Sequence, residues 1–267
     1  MQNRELNDIT KTLEKPDLHE EWIKSYRIKE NALFYDEVFN QICFTLSKDG
    51  NPTILDAGCG SGAHSVRLAK HGFNVLGVDI SKYILKKAKL NIRLHNFQNK
   101  IQFSCEDITS LPYENQSFKY ILCWGVLMHI PDIDQAIAEL TRVLKKGGTL
   151  IIEEGNMHSL QSFLTRIRGT FQKRTPQKSI AGIEYWKNTT AGKLLTREAN
   201  IIWFKKKLKE HGCIIKNQIP GQFTELYTKG QLEITKKMIH CFNRFWFKYV
   251  KIPTLSYGTI LIIHKVK

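Results

Sequence analysis

The amino-acid sequence predicts an α/β fold of the doubly wound type, built on a seven-stranded, mostly parallel sheet with a helical lid or insertion. Between residues 53 and 152, five short apolar runs alternate with longer helical patterns, and a glycine-rich turn follows the first run. Strands and helices that alternate at this spacing form βαβ units and therefore a parallel sheet. The predicted strands are 53–56, 74–79, 101–105, 119–123 and 149–152.

The other predicted elements lie on either side of this alternation. Helical patterns occupy residues 19–47 before it and residues 158–168 and 197–211 after it. The last two strands are predicted at 213–218 and 259–264. Between them, residues 224–250 form one or two helices rich in aromatic residues and lysine.

The composition excludes several classes of protein. The chain has 267 residues, of which 42% are hydrophobic, so it can bury a full core and is not mainly disordered. No apolar run approaches the roughly 18–20 residues that span a bilayer, and the polar, acidic start shows no secretory signal, so we expect a cytoplasmic protein. The six cysteines form no CxxC pair and no Cys/His cluster, which predicts reduced thiols and no metal site.

The positive charge is concentrated at one end of the chain. The formal net charge is +15, but residues 1–50 carry −3 and residues 51–155 carry +2, which leaves +16 on residues 156–267. Such a surface attracts nucleic acid, anionic lipid or a small anionic substrate, or it serves only to solvate one face.

A glycine-rich turn between a strand and a helix is the first feature that indicates chemistry. In Ile54-Leu-Asp-Ala-Gly58-Cys-Gly60-Ser-Gly62-Ala63, glycine lets the backbone turn tightly and approach a ligand in front of the helix N-terminus. The spacing of Gly58, Gly60 and Ala63 also fits a dinucleotide-binding turn. Asp79, at the end of the second strand, suits a ribose diol with either kind of cofactor.

Three further features favour a cofactor without phosphate. Asp56 stands two residues before the first glycine, where a cationic group is favoured over a pyrophosphate. The third strand ends in the acidic pair Glu106-Asp107, and the fourth runs into Trp124-Gly-Val-Leu-Met-His129-Ile-Pro-Asp132. With these motifs in this order over residues 53–154, the sequence resembles the class I S-adenosylmethionine-dependent methyltransferases of the small-molecule type.

This resemblance implies a Rossmann-like fold, the cofactor S-adenosyl-L-methionine and a set of residues that bind it. The cofactor carries an ammonium, a diol and a flat base, which carboxylates at strand ends can hold. The residues implied are Asp56 for the amino group, Gly58, Cys59 and Gly60 for the methionine end, Asp79 for the ribose, Ile80, Asp107 and Ile108 for the adenine, and Trp124 beside the methionine portion.

Candidates for catalysis and acceptor binding lie outside the glycine turn. His129 after the fourth strand and Glu154 at the end of the fifth are catalytic candidates, and either could instead have a structural role. Tyr26, Arg166 and Arg168 are candidates for substrate contact. Since arginine suits phosphate and carboxylate groups, the predicted acceptor is a small anionic metabolite, methylated on oxygen or nitrogen. A phosphate-type oxygen would need no general base.

Three classes of acceptor remain open. The sequence is similar, without a diagnostic motif, to methyltransferases that modify bacterial surface polysaccharides, including methyl phosphoramidate capsule modification, where the acceptor would be a nucleotide-, phosphate- or sugar-linked intermediate. An RNA-directed enzyme would use the basic face, although the fourth strand lacks the Asn/Asp-Pro-Pro-aromatic motif for base amino groups. A lipid or quinone methyltransferase would place the lysine-aromatic helix at 236–250 on a membrane surface.

Four regions follow from these assignments, and the oligomeric state stays open. Residues 1–50 are N-terminal helices that cover the cofactor site, and residues 51–155 are the S-adenosylmethionine-binding core. Residues 156–212 are a basic helical region on the acceptor side, and residues 213–267 hold the last two strands with a helical insertion.

Overall fold

A computed structural model describes residues 11–26, 29–47, 50, 52–171, 176–189, 191–226 and 232–267 of the protein. Its ten strands among these residues are β1 Thr53–Ala57, β2 Asn74–Asp79, β3 Ile101–Cys105, β4 Phe118–Trp124, β5 Leu144–Gly155, β6 Gln177–Ser179, β7 Gly182–Thr189, β8 Gly192–Ala199, β9 Cys213–Pro220 and β10 Gly258–Lys265. Seven of them form one sheet in the order β3-β2-β1-β4-β5-β10-β9.

The large sheet confirms the predicted doubly wound, mostly parallel fold. Strands β1 to β5 pair in parallel, whereas β10 runs antiparallel between β5 and β9. The chain adds β2 and β3 on one side of β1 and then β4 and β5 on the other, so the strand order reverses between β1 and β4. Ligands bind outside the carboxyl ends of the strands at such a reversal.

Helices cover both faces of the large sheet. Their bounds are α1 Pro16–Tyr26, α2 Lys29–Phe44, α3 Ala63–Lys70, α4 Lys82–Leu94, α5 Ile133–Val143, α6 Leu160–Phe171, α7 Ile201–Glu210 and α8 Glu233–Phe245. A 3-10 turn spans Leu127–His129 and a π-helix spans Trp246–Val250. Side chains of α5 and α7 fill the core on one face, and those of α2 and α3 fill it on the other. Within the described ranges, no helix is long and apolar enough to cross a bilayer.

The prediction of a helical region over residues 156–212 is correct at its two ends and wrong in its middle. Helices α6 and α7 are present, but β6, β7 and β8 form a three-stranded antiparallel sheet between them. Six consecutive residues of β8, from 194 to 199, are buried. Because the strand is buried on both sides, its sequence lacks the period-two alternation that identifies a half-exposed strand.

Arg197 on β8 attaches the small sheet to the large one. Its side chain is only 3% exposed, and its Nε donates to the Glu184 carboxylate at 3.0 Å. Its Nη1 donates to the carbonyl oxygens of Leu127, at 3.1 Å, and Ile130, at 2.9 Å, around the 3-10 turn. A buried guanidinium is tolerated only when its donors are satisfied in this way.

Arg197→Met is expected to lower the free energy of unfolding by about 3 kcal/mol, because it leaves the Glu184 carboxylate and two buried carbonyl groups without their donor. Urea denaturation measures the change. Lys193→Met, an exposed position on the same strand, should change stability by less than about 0.5 kcal/mol. If Arg197→Met were as stable as the unchanged protein, Arg197 would not hold the two sheets together.

Candidate active site

A cleft of about 1980 Å³ opens along the carboxyl ends of the parallel strands. Its lining comes from α1 and α2, from the glycine turn after β1, and from the ends of β2, β3, β4 and β5. The small sheet, α6 and the loops before β10 complete it. Helices α1 and α2 and the glycine turn therefore line the same cleft.

The glycine turn forms the floor of the cleft at the point where the strand order reverses. Gly58 has a φ of +78°, and a Cβ there would meet a Val126 methyl group at 2.3 Å. No other residue type fits this approach between the ends of β1 and β4. The N–H groups of Gly58 and Cys59 both donate to the Val78 carbonyl at 2.8 Å, which fixes the turn against β2.

Asp79 is held rigidly at the end of β2. Its Oδ2 accepts from the N–H of Gly60 at 2.9 Å, and its Oδ1 accepts from the N–H of Ser81 at 2.9 Å. Burial raises the pKa of Asp79, and these two hydrogen bonds oppose part of that effect. A carboxylate fixed next to the glycine turn suits a ribose diol, so the residues present fit S-adenosylmethionine.

The adenine side of the predicted site is also in the cleft. Cys59, Ile80, Asp107 and Ile108 line it together with Gly58 and Gly60. The Oδ1 of Asp107 accepts from both the N–H and the hydroxyl of Thr109 at 2.8 Å. The role of each residue toward the cofactor stays a prediction.

Trp124 lines the cleft at the end of β4. Its ring centre lies 5.9 Å from that of Tyr35, 5.4 Å from that of Phe39 and 5.2 Å from that of His64. The rings of Tyr35, His64 and Trp124 line the cleft next to the glycine turn, and Phe39 packs behind them. His64 stacks on Phe39, and burial lowers the pKa of its imidazole well below the ordinary value, which keeps it neutral.

Asp56 was expected to hold the cofactor amino group directly or through water, but it does not line the cleft, which contradicts a direct contact and leaves the contact through water a prediction. Its carboxylate lies beneath the turn and accepts from the Ser65 hydroxyl at 2.6 Å. Burial raises the pKa of Asp56 to about 7. Asp56 therefore connects β1 to α3 from below.

His129 lines the cleft and is held on two sides. Its Nδ1 lies 2.7 Å from the Leu195 carbonyl oxygen, which can only accept, so Nδ1 carries a proton. The Trp22 ring of α1 stacks on the imidazole at 5.2 Å. This arrangement fixes the ring, and a catalytic role for His129 stays a prediction.

The position of Glu154 contradicts its selection as a catalytic residue. Glu154 is 2% exposed and lies behind the cleft, where its Oε1 accepts from the N–H of Leu127 at 2.8 Å. Successive side chains of a strand point to opposite faces, so the neighbouring Glu153 is the one that enters the cleft. Burial raises the pKa of Glu153 well above its ordinary value, and Glu225 and Glu154 add to the effect.

Four cleft residues beyond β5 were missed in the sequence. Tyr185 and Glu198 belong to the small sheet, and Glu225 and Tyr257 lie in the loops before α8 and β10. The side chains of Tyr185 and Glu198 are 3.5 Å apart. Tyr257 directly precedes the predicted last strand, a position that could have identified it. The other three lie in segments that sequence periodicity did not resolve.

The three residues predicted to contact the substrate have different outcomes. Arg166 lines the cleft, but its Nη1 already donates to the Met157 carbonyl at 2.7 Å and lies 3.7 Å from the Glu198 carboxylate. Arg168 lines the cleft and is exposed at its rim. The side chain of Tyr26 lies outside the described residues. No group of His, Cys, Asp or Glu side chains that could hold a metal ion occurs among the residues described.

Comparison with known proteins identifies the family. The sequence model of the methyltransferase-domain family matches residues 48–211, more than half of the chain. The chain belongs to this family. The match confirms the methyltransferase family that the motifs predict, and S-adenosyl-L-methionine is the cofactor that these motifs imply.

Individual relatives match mainly the cofactor-binding part of this methyltransferase. It is 36% identical over 116 residues to a ubiquinone biosynthesis O-methyltransferase of Coxiella burnetii, covering 43% of this chain and 48% of the relative. It is 39% identical over 103 residues to a demethylmenaquinone methyltransferase of Lactobacillus johnsonii, covering 38% of this chain and 42% of the relative. The alignments thus span less than half the length of these curated relatives.

A solved structure shows the same fold over nearly the whole chain. The magnesium protoporphyrin IX methyltransferase of Synechocystis, solved with bound SAH, superimposes with a TM-score of 0.62 at 18% identity. The match covers 96% of this chain and 97% of that one.

Asp79→Ala is expected to weaken the binding of S-adenosylhomocysteine at least about tenfold, because it removes a fixed carboxylate from the cleft. Isothermal titration calorimetry measures the affinity. Asp79→Asn keeps the shape of the side chain and separates loss of charge from disturbance of the turn. Asp134→Ala, on α5 outside the cleft lining, should bind as the unchanged protein does. Unchanged affinity in Asp79→Ala would contradict the site.

Glu154→Gln is expected to flatten the pH dependence of stability. Burial raises the pKa of Glu154 from 4.5 to about 8, so between these values the folded protein holds a proton that the unfolded chain has lost. The free energy of unfolding should therefore fall as pH rises from 4.5 to 8, and the variant should lose about 3 kcal/mol of that fall.

Urea denaturation at pH 5 and pH 8 tests this change in stability. Glu114→Gln, an exposed position before β4, is the matched control and should retain the pH dependence of the unchanged protein. Equal slopes for Glu154→Gln and the unchanged protein would show that Glu154 is ionised in the fold.

Proposed function

We propose that this methyltransferase methylates a hydroxyl oxygen on an aromatic acceptor, and that Glu153 takes the proton of that hydroxyl. The observation that supports the proposal is the position of the Glu153 carboxylate in the cleft, together with its raised pKa. It lies in the cleft and accepts no hydrogen bond from the described residues. Its raised pKa gives it the basicity that a general base needs.

The strand order supports a division of the cleft into two halves. The ends of β3, β2 and β1 carry Asp107, Asp79 and the glycine turn, which form the cofactor half. Strands β5 and β10 lie on the other side of β4 and carry Glu153 and Tyr257, which form the acceptor half. The end of β4 lies between them, so a group bound to one half meets a group bound to the other there.

Glycines lie on both sides of the proposed base. A Cβ at Gly125, after β4, would lie 3.8 Å from the Oε2 of Glu153. A Cβ at Gly258, at the start of β10, would lie 2.8 Å from its Oε1. A side chain at residue 258 would therefore crowd the carboxylate, whereas one at residue 125 would only be in ordinary contact with it, so Gly258 is the glycine that leaves room beside Glu153.

The chemistry requires a proton acceptor and little else from the protein. When bound, the cofactor supplies a methyl group on a positively charged sulfur. A neutral hydroxyl is a weak nucleophile, and Glu153 would strengthen it by accepting its proton as the oxygen attacks. The rigid strand ends hold the reacting groups in line, which contributes much of the acceleration in a displacement reaction.

The charges in the cleft argue for a neutral acceptor. Eight acidic residues line it against four lysines and arginines. The anionic acceptor predicted from the net charge therefore fits only at the rim, where Arg168 is exposed. The same acidic lining disfavours an RNA backbone. None of the lining residues favours a polysaccharide-linked acceptor over others.

The acceptor half favours an aromatic ring. Tyr185, Trp186 and Tyr257 line it beside the apolar side chains of Met128 and Leu194. Two relatives carry the names of ubiquinone and menaquinone methyltransferases, and a quinol is a hydroxylated ring of this kind. We also propose that the enzyme acts in the cytoplasm, the location predicted from the sequence.

Glu153→Gln is expected to lower kcat by on the order of 100-fold, because the variant cannot accept the hydroxyl proton. Transfer of labelled methyl to a panel of phenols, catechols and quinols measures the rate. In the unchanged enzyme, kcat/KM should rise with pH as Glu153 ionises, at a pH above the ordinary range of glutamate. Glu153→Gln should lose this rise and keep its affinity for S-adenosylhomocysteine.

Two further variants make the test specific. Glu114→Gln, exposed and outside the cleft, should retain both rate and pH profile. His129→Gln distinguishes the other candidate base. If His129→Gln loses the pH dependence while Glu153→Gln keeps it, the proton goes to His129 and the proposal is wrong.

A further inference from the structure

Helix α6 presents an apolar stripe to solvent. Leu160, Phe163, Leu164 and Ile167 follow one another at intervals of three and one residues, so they lie on one side of the helix. All four are exposed. A stripe of this kind normally faces the core of a protein. Among the described residues, this stripe is left exposed.

Helix α8 and the π-helix that follows present a second apolar stripe. Ile234, Met238, Phe242, Phe245 and Tyr249 repeat at helical spacing and are exposed, with exposed fractions of 66% for Met238, 51% for Phe245 and 65% for Tyr249. The side of these helices that faces the protein is different, because it carries the buried residues His240, Asn243, Trp246 and Phe247.

The two stripes are neighbours at the N-terminal end of α6. The N–H of Leu160, at the start of α6, donates to the Leu255 carbonyl at 3.3 Å. The next residue, Gln161, accepts from the N–H of Glu225 at 2.8 Å. In the same loop, Phe223 packs on Phe242 of α8, with ring centres 5.2 Å apart. We call the exposed apolar residues of 160–167 and 232–255 the apolar face.

The charges on the α8 part of the apolar face are mostly positive. Residues 232–255 contain five lysines and arginines and one acidic residue, Glu233, and the Arg244 guanidinium pairs with Glu37 of α2. Glu233 pairs with Lys236 at 2.9 Å. Lys237, Lys248 and Lys251 are exposed beside the apolar stripe of α8. Part of the positive charge after residue 156 thus lies outside the cleft, beside this face.

We propose that the apolar face docks on the surface of an anionic lipid bilayer. Aromatic and aliphatic side chains between lysines are the pattern of helices that lie in the membrane interface. Anionic headgroups complement the lysines, each of which contributes to binding near the surface. A second copy of the chain is a poorer occupant, because it would bring the same positive charge to the contact.

The apolar face borders the cleft at α6. Gln161, Thr165 and Arg168 of this helix line the cleft, and the apolar stripe lies on the neighbouring side of the same helix. Leu226, in the adjoining loop, is both exposed and part of the lining. The proposal concerns binding alone and goes beyond the methylation reaction, so it stands or falls independently of Glu153.

Flotation with vesicles tests the proposal on the full chain. The protein should float with vesicles that contain phosphatidylglycerol and phosphatidylcholine, and binding should fall with added salt and on vesicles of phosphatidylcholine alone. The double variant Met238→Ser/Phe245→Ser should lose on the order of tenfold in its partition coefficient. Its thermal stability and its affinity for S-adenosylhomocysteine should match those of the unchanged protein.

Phe44→Ser provides the matched control. Phe44 is 90% exposed at the end of α2, before the amino end of β1 and so away from the cleft edge. Its substitution should leave flotation unchanged. The proposal is overturned if the unchanged protein does not float, if it binds neutral and anionic vesicles equally, or if Phe44→Ser weakens binding as much as the double variant. A homodimer in sedimentation that Met238→Ser/Phe245→Ser dissociates would also overturn it, in favour of a second copy.

Discussion

The contact between the glycine turn and the end of β4 is the constraint on which the cleft depends. Gly58 approaches Val126 so closely that a methyl group would collide with it. This contact brings the two strands at the reversal point together. It also places the N–H of Gly60 where it can hold Asp79. The floor of the cofactor half is therefore built from backbone geometry and one carboxylate, and ligand binding need not create it.

The sequence predicts the cofactor half well, because its signals are local. A strand, a glycine turn and an acid at the end of the next strand lie within about thirty residues, and spacing alone relates them. Glu154 shows where this reasoning ends: it was predicted at the end of the fifth strand, and only the strand register decides that its neighbour Glu153 is the residue that faces the cleft. Asp56 has the right spacing and still lies under the turn, because Ser65 holds it there. The buried strand β8 was missed, since burial on both sides removes its alternation.

The total net charge of the chain does not describe the charge inside the cleft. The total of +15 suggested an anionic acceptor, yet the cleft is lined by twice as many acids as lysines and arginines. Arg166 and Arg197 are engaged with protein carbonyls and carboxylates. Positive charge outside the cleft and negative charge inside it are compatible, because the two regions have different proposed partners. The acidic cleft would bind the neutral methyl acceptor, and the apolar face with its lysines would bind the anionic lipid surface.

The small sheet makes the acceptor half separable from the rest of the protein. It supplies Tyr185 and Glu198 to the cleft but contributes no strand to the large sheet, and Arg197 and the Leu195 carbonyl form its hydrogen bonds with the residues of the 3-10 turn. Substitutions at its cleft-lining positions would therefore change the acceptor half without touching the glycine turn or Asp79. During evolution, substitutions among the about twenty residues of the small sheet could therefore change the acceptor of the enzyme while the methyl-transfer reaction stayed the same.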